Sequence, residues 1–83
     1  MTPRIDPEFH ALIPPLSSDE RSQLEGNIRN DGCRDPLAVW DGLLLDGHNR
    51  LEICERLGIE YQTKGIELRD RSSAIEWIIR NQF

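Results

Sequence analysis

The dipeptide Asp41-Gly42 stands between two short apolar runs, Leu37–Trp40 and residues 43–45. Both central residues of a type I′ turn need positive φ, and Asp-Gly is one of the pairs that meet this requirement most readily. The pattern therefore predicts a β-hairpin at the centre of the chain. With only 83 residues available, the hairpin and the elements around it form one small domain, 1–83.

Helix signals flank the hairpin on both sides. Ser17 and Glu20 form a capping box, while Gly32 and Gly58 are typical of helix ends. Together with the strand patterns they predict an α+β domain: a small mixed sheet with a central hairpin and about three helices. The predicted elements are a strand over 9–13, a helix over 17–32, the hairpin, a helix over 48–57, a strand over 61–68 and a helix beginning near 70–73.

The segment Asp46-Gly47-His48-Asn49-Arg50 joins the predicted hairpin to the next helix. A glycine at such a turn lets a ligand approach the backbone, and the free N–H groups of the first helical turn favour an anion. Arg50 adds a planar, positively charged donor group that suits phosphate. The segment therefore predicts a phosphate site made of Gly47, His48, Asn49 and Arg50, with Asp46 and Arg34 as secondary candidates.

Each of these residues also has a plainer interpretation. Gly47 is equally suited to a simple turn, and Asp46 is better explained as a helix N-cap than as a metal ligand or catalytic base. His48 and Asn49 either contact phosphate or are exposed polar residues. Arg50 either contacts phosphate or pairs with a nearby carboxylate. We find no cluster that predicts a metal site.

Composition limits the classes of partner. The net charge of −5 makes the domain a poor DNA binder by itself, because DNA affinity comes mostly from Lys and Arg. No apolar run is long enough for a membrane span and no signal peptide is evident, so we expect a cytoplasmic protein without membrane contact. Cys33 and Cys54 have no metal-ligand spacing, and Cys54 is expected to be a buried, inert thiol.

Taken together, the helix ending at Gly32, the strand after Asp35-Pro36, the Asp41-Gly42 hairpin and the Gly47-x-x-Arg50 turn resemble the ParB/sulfiredoxin superfamily. The resemblance spans about residues 8–83 and is stronger to the ParB-like N-terminal domains of plasmids, phages and mobile elements. In ParB proteins the matching turn reads Gly-Glu-Arg-Arg and binds the triphosphate of CTP. In sulfiredoxins it reads Gly-Cys-His-Arg, binds ATP and carries the catalytic cysteine.

The resemblance implies which activities to expect. His48 occupies the position of the sulfiredoxin cysteine, so sulfiredoxin chemistry is excluded. Relative to ParB, His48 and Asn49 replace Glu and Arg, which removes one positive charge from the phosphate site. The family's third motif, Glu-Asn-x-Gln-Arg, aligns with Arg80-Asn81, which makes Asn81 a further candidate. The chain is expected to be a fragment of a longer protein.

The resemblance therefore implies a nucleotide-phosphate-binding regulatory domain of a DNA-associated protein in plasmid partition, chromosome segregation or mobile-element control. The expected cofactor is CTP or ATP with Mg²⁺, and a homodimer and DNA contact through an absent C-terminal region are further expectations. Two alternatives stay open: a metal-dependent nuclease or NTPase, and an interaction module that binds no ligand.

Overall fold

The computed structural model describes residues 2–82. It contains four helices and a three-stranded sheet, and the predicted α+β class is confirmed. No helix among these residues is long and apolar enough to cross a membrane. In chain order the elements are α1 (Pro7–Ala11), α2 (Ser18–Asp31), β1 (Leu37–Trp40), β2 (Leu43–Asp46), α3 (His48–Leu57), β3 (Thr63–Gly65) and α4 (Arg71–Arg80).

The sheet is built around the predicted hairpin. Asp41 and Gly42 both have positive φ, 52° and 75°, as a type I′ turn requires. Strand β1 lies in the middle, antiparallel to β2 and parallel to β3. A bulge between Ala38 and Val39 shifts the β1–β2 register before β2 reaches the turn into α3.

Neighbouring residues of a strand point to opposite faces of the sheet. Because apolar residues of β1 and β2 lie on both faces, helices cover both. Ala38 and Leu45 belong to one core cluster, which also contains Phe9 from α1 and Ile78 from α4. On the other face, the core cluster of Leu37 and Leu44 contains Leu51 of α3. A further cluster joins α2 to α3 through Ile28, Ile53 and Cys54. The first turns of α3 are thus held against the sheet by the packing of Leu51 on Leu37 and Leu44.

The strand predicted over residues 9–13 is wrong. The segment forms α1, because the Asp6 side chain accepts a hydrogen bond from the Phe9 N–H at 3.1 Å and Pro7 occupies the first helical position. Extended backbone lies earlier, where Arg4 bonds to Gly42 and Leu44 beside β2.

The strand predicted over residues 61–68 is shortened to β3. Its partner β1 has only four residues, so the pairing runs from Leu37–Thr63 to Val39–Gly65. One further backbone bond, from Ile66 to Val39 at 2.8 Å, ends the contact. The three helices predicted from sequence are confirmed as α2, α3 and α4. The Ser17–Glu20 capping box of α2 and the end of α3 at Gly58 are also present.

Candidate functional site

Strand β2 ends at Asp46 and α3 begins at His48, with Gly47 as the residue between them. Gly47 adopts φ 103° and ψ 24°, and its carbonyl accepts the first helical bond from the Leu51 N–H at 2.8 Å. A Cβ at this position would lie 2.5 Å from Leu37 Cδ2 and 3.1 Å from an Arg50 guanidinium nitrogen. Both backbone conformation and space therefore require glycine here.

Helix α3 has no side-chain cap, unlike the other three helices. Asp6, Ser17 and Asp70 each accept a hydrogen bond from the first turn of α1, α2 and α4, respectively. The residue before α3 is Gly47, which has no side chain to accept one. In the part of the chain that the structure describes, the N–H groups of residues 48–50 have no acceptor. Free donors of this kind are the feature from which the sequence predicts an anion site, and anion binding itself stays a prediction.

Asp46 does not cap α3, so the N-cap prediction for this residue is wrong. It is the last residue of β2 and lies one position too early, and its backbone pairs with Ala38. Its carboxylate instead lies 3.4 Å from the Arg50 guanidinium. The carboxylate is thereby held at Arg50, where it competes with any other anion for the guanidinium.

Arg50 connects three segments around the turn. Its guanidinium donates to the Asp35 carbonyl oxygen at 2.9 Å and lies near the Asp46 carboxylate. Its side chain is only 20% exposed, and it lines a cavity of about 220 Å³ together with Arg34 and Asp35. The pairing predicted as the alternative for Arg50 is therefore present, with Asp46 as the acid.

His48 lies on the other side of the turn and is buried. Its ring stacks on that of His10 in α1, with centroids 4.9 Å apart and planes 2° from parallel. Within residues 2–82 neither of its ring nitrogens has a hydrogen-bond partner. The exposed alternative proposed for His48 is therefore wrong, because only 7% of the residue is accessible. An unpaired buried polar group costs about 1–3 kcal/mol, which a ligand or water would recover.

Asn49 belongs to a charged network between α2 and α3. Its side-chain oxygen accepts a hydrogen bond from Arg21 at 2.9 Å, and Arg21 also pairs with Glu52. The network continues through Arg56 and Glu25. Sequence reasoning missed Arg21, because its contact depends on how α2 packs against α3 and no local pattern indicates it.

The predicted site residues thus fall on two sides of one helix start. His10, Arg21, His48 and Asn49 line a cavity of about 730 Å³, whereas Arg34 and Arg50 line the smaller one. Asn81 lines neither cavity, and its side chain donates to the Trp77 carbonyl oxygen at the end of α4. Both cavities are lined by residues from the first turn of α3, His48 and Asn49 in the larger and Arg50 in the smaller.

Two other chemistries receive little support. Cys54 is buried, and burial together with the neighbouring Cys33 thiol raises its pKa to about 11, so it is a poor nucleophile. No group of three or more His, Cys, Asp or Glu side chains among residues 2–82 is arranged to hold a metal ion. A metal-dependent nuclease therefore has no evident ligand set in this region.

Burial lowers the pKa of His48 below its ordinary value of 6.5, and the neighbouring His10 acts in the same direction, whereas the Asp46 carboxylate opposes them. The unfolded chain therefore binds more protons than the folded one once the pH falls below about 6.5. We expect the free energy of unfolding, measured by urea denaturation, to decrease from about pH 7.5 to about pH 5. His48→Phe keeps a planar ring but cannot titrate, so a pH dependence that persists unchanged in this variant contradicts the assignment.

Comparisons with known proteins agree with this architecture. No family model and no curated protein matches the chain. A solved structure, that of a Pnob8-like ParB-N domain, is similar to it with a TM-score of 0.72 and 28% sequence identity. The similarity covers 93% of this chain and 32% of that one, so this chain spans about a third of its solved relative.

The fold defines a class of small α+β domain in which helices cover a three-stranded mixed sheet and a glycine turn links the hairpin to α3. The similarity to the solved ParB-N domain extends over nearly the whole chain, so the fold can be compared with that domain as a whole. The chain has the fold of a ParB-N domain, and the resemblance to ParB-like N-terminal domains predicted from its sequence is confirmed.

Proposed function

We propose that this domain binds the phosphate groups of a nucleotide at the start of α3. The observation that carries the proposal is the uncapped helix start, where three backbone N–H groups have no acceptor among the described residues. Such groups and the helix dipole both favour an anion. Gly47 provides the left-handed backbone conformation from which α3 begins without a side-chain cap.

Arg50 supplies the positive charge in this proposal. Its contact with Asp46 is long, at 3.4 Å, and that carboxylate is more than half exposed. A long ion pair whose carboxylate is more than half exposed contributes about 1 kcal/mol or less, so a phosphate can replace Asp46 as the partner of Arg50 at little cost. Arg34 lines the same cavity and is the second candidate cation.

The larger cavity supports a ligand bigger than phosphate alone. Its volume of about 730 Å³ lies within the usual range for small-molecule sites, and His48 and Asn49 connect it to the helix start. CTP or ATP with Mg²⁺ is the nucleotide that the ParB resemblance suggests. The biological role that follows is regulation of a DNA-associated protein in partition or mobile-element control, with self-association as the regulated step.

In this proposal the domain does not itself provide the contact with DNA. The domain carries a net charge of −5, which opposes the counterion release that drives binding to DNA. The solved ParB-N relative is about three times longer than the region this chain matches, since the match covers 32% of it.

The test is isothermal titration of CTP, ATP and GTP, each with Mg²⁺, into the wild type and an Arg50→Gln variant. Loss of a charge-assisted hydrogen bond to phosphate is worth about 1.5–3 kcal/mol, so Arg50→Gln should weaken binding roughly 10- to 100-fold. The control is Arg29→Gln, which removes the same charge from an exposed residue of α2 paired with Glu25. Its affinity should match the wild type.

Two outcomes contradict the proposal. If none of the three nucleotides binds, the domain is better explained as an interaction module without a ligand. If binding occurs but Arg29→Gln weakens it as much as Arg50→Gln, the effect reflects total charge and the site lies elsewhere. Both variants should first be shown to be folded by circular dichroism, because Arg50 also donates to the Asp35 carbonyl.

A further inference from the structure

The His48 ring at the start of α3 and the His10 ring of α1 form a stacked pair beside the proposed anion site. His48 is buried and stacked on His10, and both of its ring nitrogens lack a partner among residues 2–82. Its own backbone N–H is one of the three free donors of the helix start. His48 therefore combines two groups: a backbone N–H that can bind the anion and a titratable ring whose nitrogens have no hydrogen-bond partner among residues 2–82.

The charges around His48 come from every element that lies against it. His10 of α1 disfavours the protonated ring and Asp46 of β2 favours it. Arg21, Glu52 and Arg56 also line the adjoining cavity, but they pair with one another. The remaining charged residue of that cavity is Glu55. Asp46 is thus the neighbour that favours the protonated ring, and an anion bound at the start of α3 would add a second negative charge with the same effect.

We propose that the His10–His48 pair couples anion binding at the start of α3 to the uptake of a proton. The inference rests on the proposed function, since it assigns a regulatory property to the same site. In the absence of an anion His48 stays neutral, because a buried imidazolium beside a second histidine is unfavourable. An anion held by the neighbouring N–H groups stabilises the charged ring.

Thermodynamic linkage makes the coupling reciprocal. If an anion favours protonation of His48, then protonation favours the anion by the same factor. The affinity should therefore increase as the pH falls, by up to about tenfold per pH unit for one coupled proton. A domain of this kind holds its anion more tightly in a mildly acidic environment.

The test uses sulfate, whose charge does not change over the relevant pH range. Sulfate is titrated into the ¹⁵N-labelled protein at about pH 5.5 and at about pH 7.5, on either side of the ordinary histidine pKa. Backbone amide shifts of residues 48–50 report binding, and the ring resonances of His48 report its protonation. We expect several-fold tighter binding at the lower pH and a His48 ring that titrates at higher pH when sulfate is present.

Two variants separate proton coupling from a structural effect. His48→Phe keeps the backbone N–H groups and the planar ring, so sulfate should still bind but with equal affinity at both pH values. His10→Phe removes the neighbour that opposes protonation of His48. In this variant the pH dependence should persist and move to higher pH, which a purely structural role of His10 does not produce.

The failures of the two proposals are distinguishable. Sulfate that shifts the amides of residues 48–50 equally well at both pH values overturns the proton coupling and leaves the anion site intact. If sulfate shifts none of these amides at either pH, the anion site itself fails. If His48→Phe does not fold, an unchanged pH dependence in His10→Phe would still contradict the proposal.

Discussion

Phe9→Ala is expected to lower the free energy of unfolding by about 3–5 kcal/mol, the usual range for removing a buried phenylalanine. Phe9 is completely buried although α1 has only five residues. Small domains have total stabilities near the lower end of about 5–15 kcal/mol. The variant should therefore be largely unfolded in urea concentrations that the wild type tolerates.

The size of this effect follows from what Phe9 contacts. It shares a core cluster with Ala38, Leu45 and Ile78, so α1 closes one face of the sheet through this one ring. The Arg71 guanidinium lies 4.6 Å from the ring centroid, which adds a cation–π contact to the start of α4. Truncation therefore removes packing among α1, the sheet and α4 together.

Urea denaturation followed by circular dichroism measures the loss, and Ile79→Ala provides the control. Ile79 is also a large apolar residue but is 45% exposed, so its truncation should cost less than about 1 kcal/mol. A similar loss in both variants would mean that α1 is not an integral part of the core.

The elements that sequence predicts best are those specified by local chemistry. The hairpin depends on positive φ at Asp41 and Gly42, and α2 on the Ser17–Glu20 capping box, so neighbouring residues determine each. Helix α1 also has a local signal, the cap by Asp6 and the proline at the first position, but the apolar residues over 9–13 favoured a strand prediction. The end of β3 has no such local signal, because it depends on how far β3 pairs with β1, a strand distant in sequence.

The candidate site shows the same division. The glycine turn follows from the sequence at 46–50, but its missing cap does not, because the sequence predicts Asp46 as the N-cap. The contacts that complete it join distant segments: Arg50 with the Asp35 carbonyl, Asn49 with Arg21, and His48 with His10. Each depends on how helices pack around the sheet. Local patterns carry no information about them.

Gly47→Ala should be the most disruptive substitution at the site itself. The backbone at Gly47 has φ 103°, a region that costs an alanine about 1–2 kcal/mol. The added Cβ would also lie 2.5 Å from Leu37 Cδ2, and Leu37 is fully buried, so the core must move. Overpacking of this kind costs about 1–3 kcal/mol more. We expect a total loss of about 2–5 kcal/mol in the free energy of unfolding.

Gly26→Ala is the matched control for this prediction, because it makes the same chemical change inside α2. A Cβ at Gly26 meets nothing within 4 Å, and alanine is favoured over glycine in a helix interior. Gly26→Ala should therefore raise the free energy of unfolding by about 0.5–1 kcal/mol. The two variants should change stability in opposite directions in the same urea assay. If Gly47→Ala is as stable as the wild type, the turn is not constrained by Leu37, and glycine at this position would then be explained by ligand approach alone.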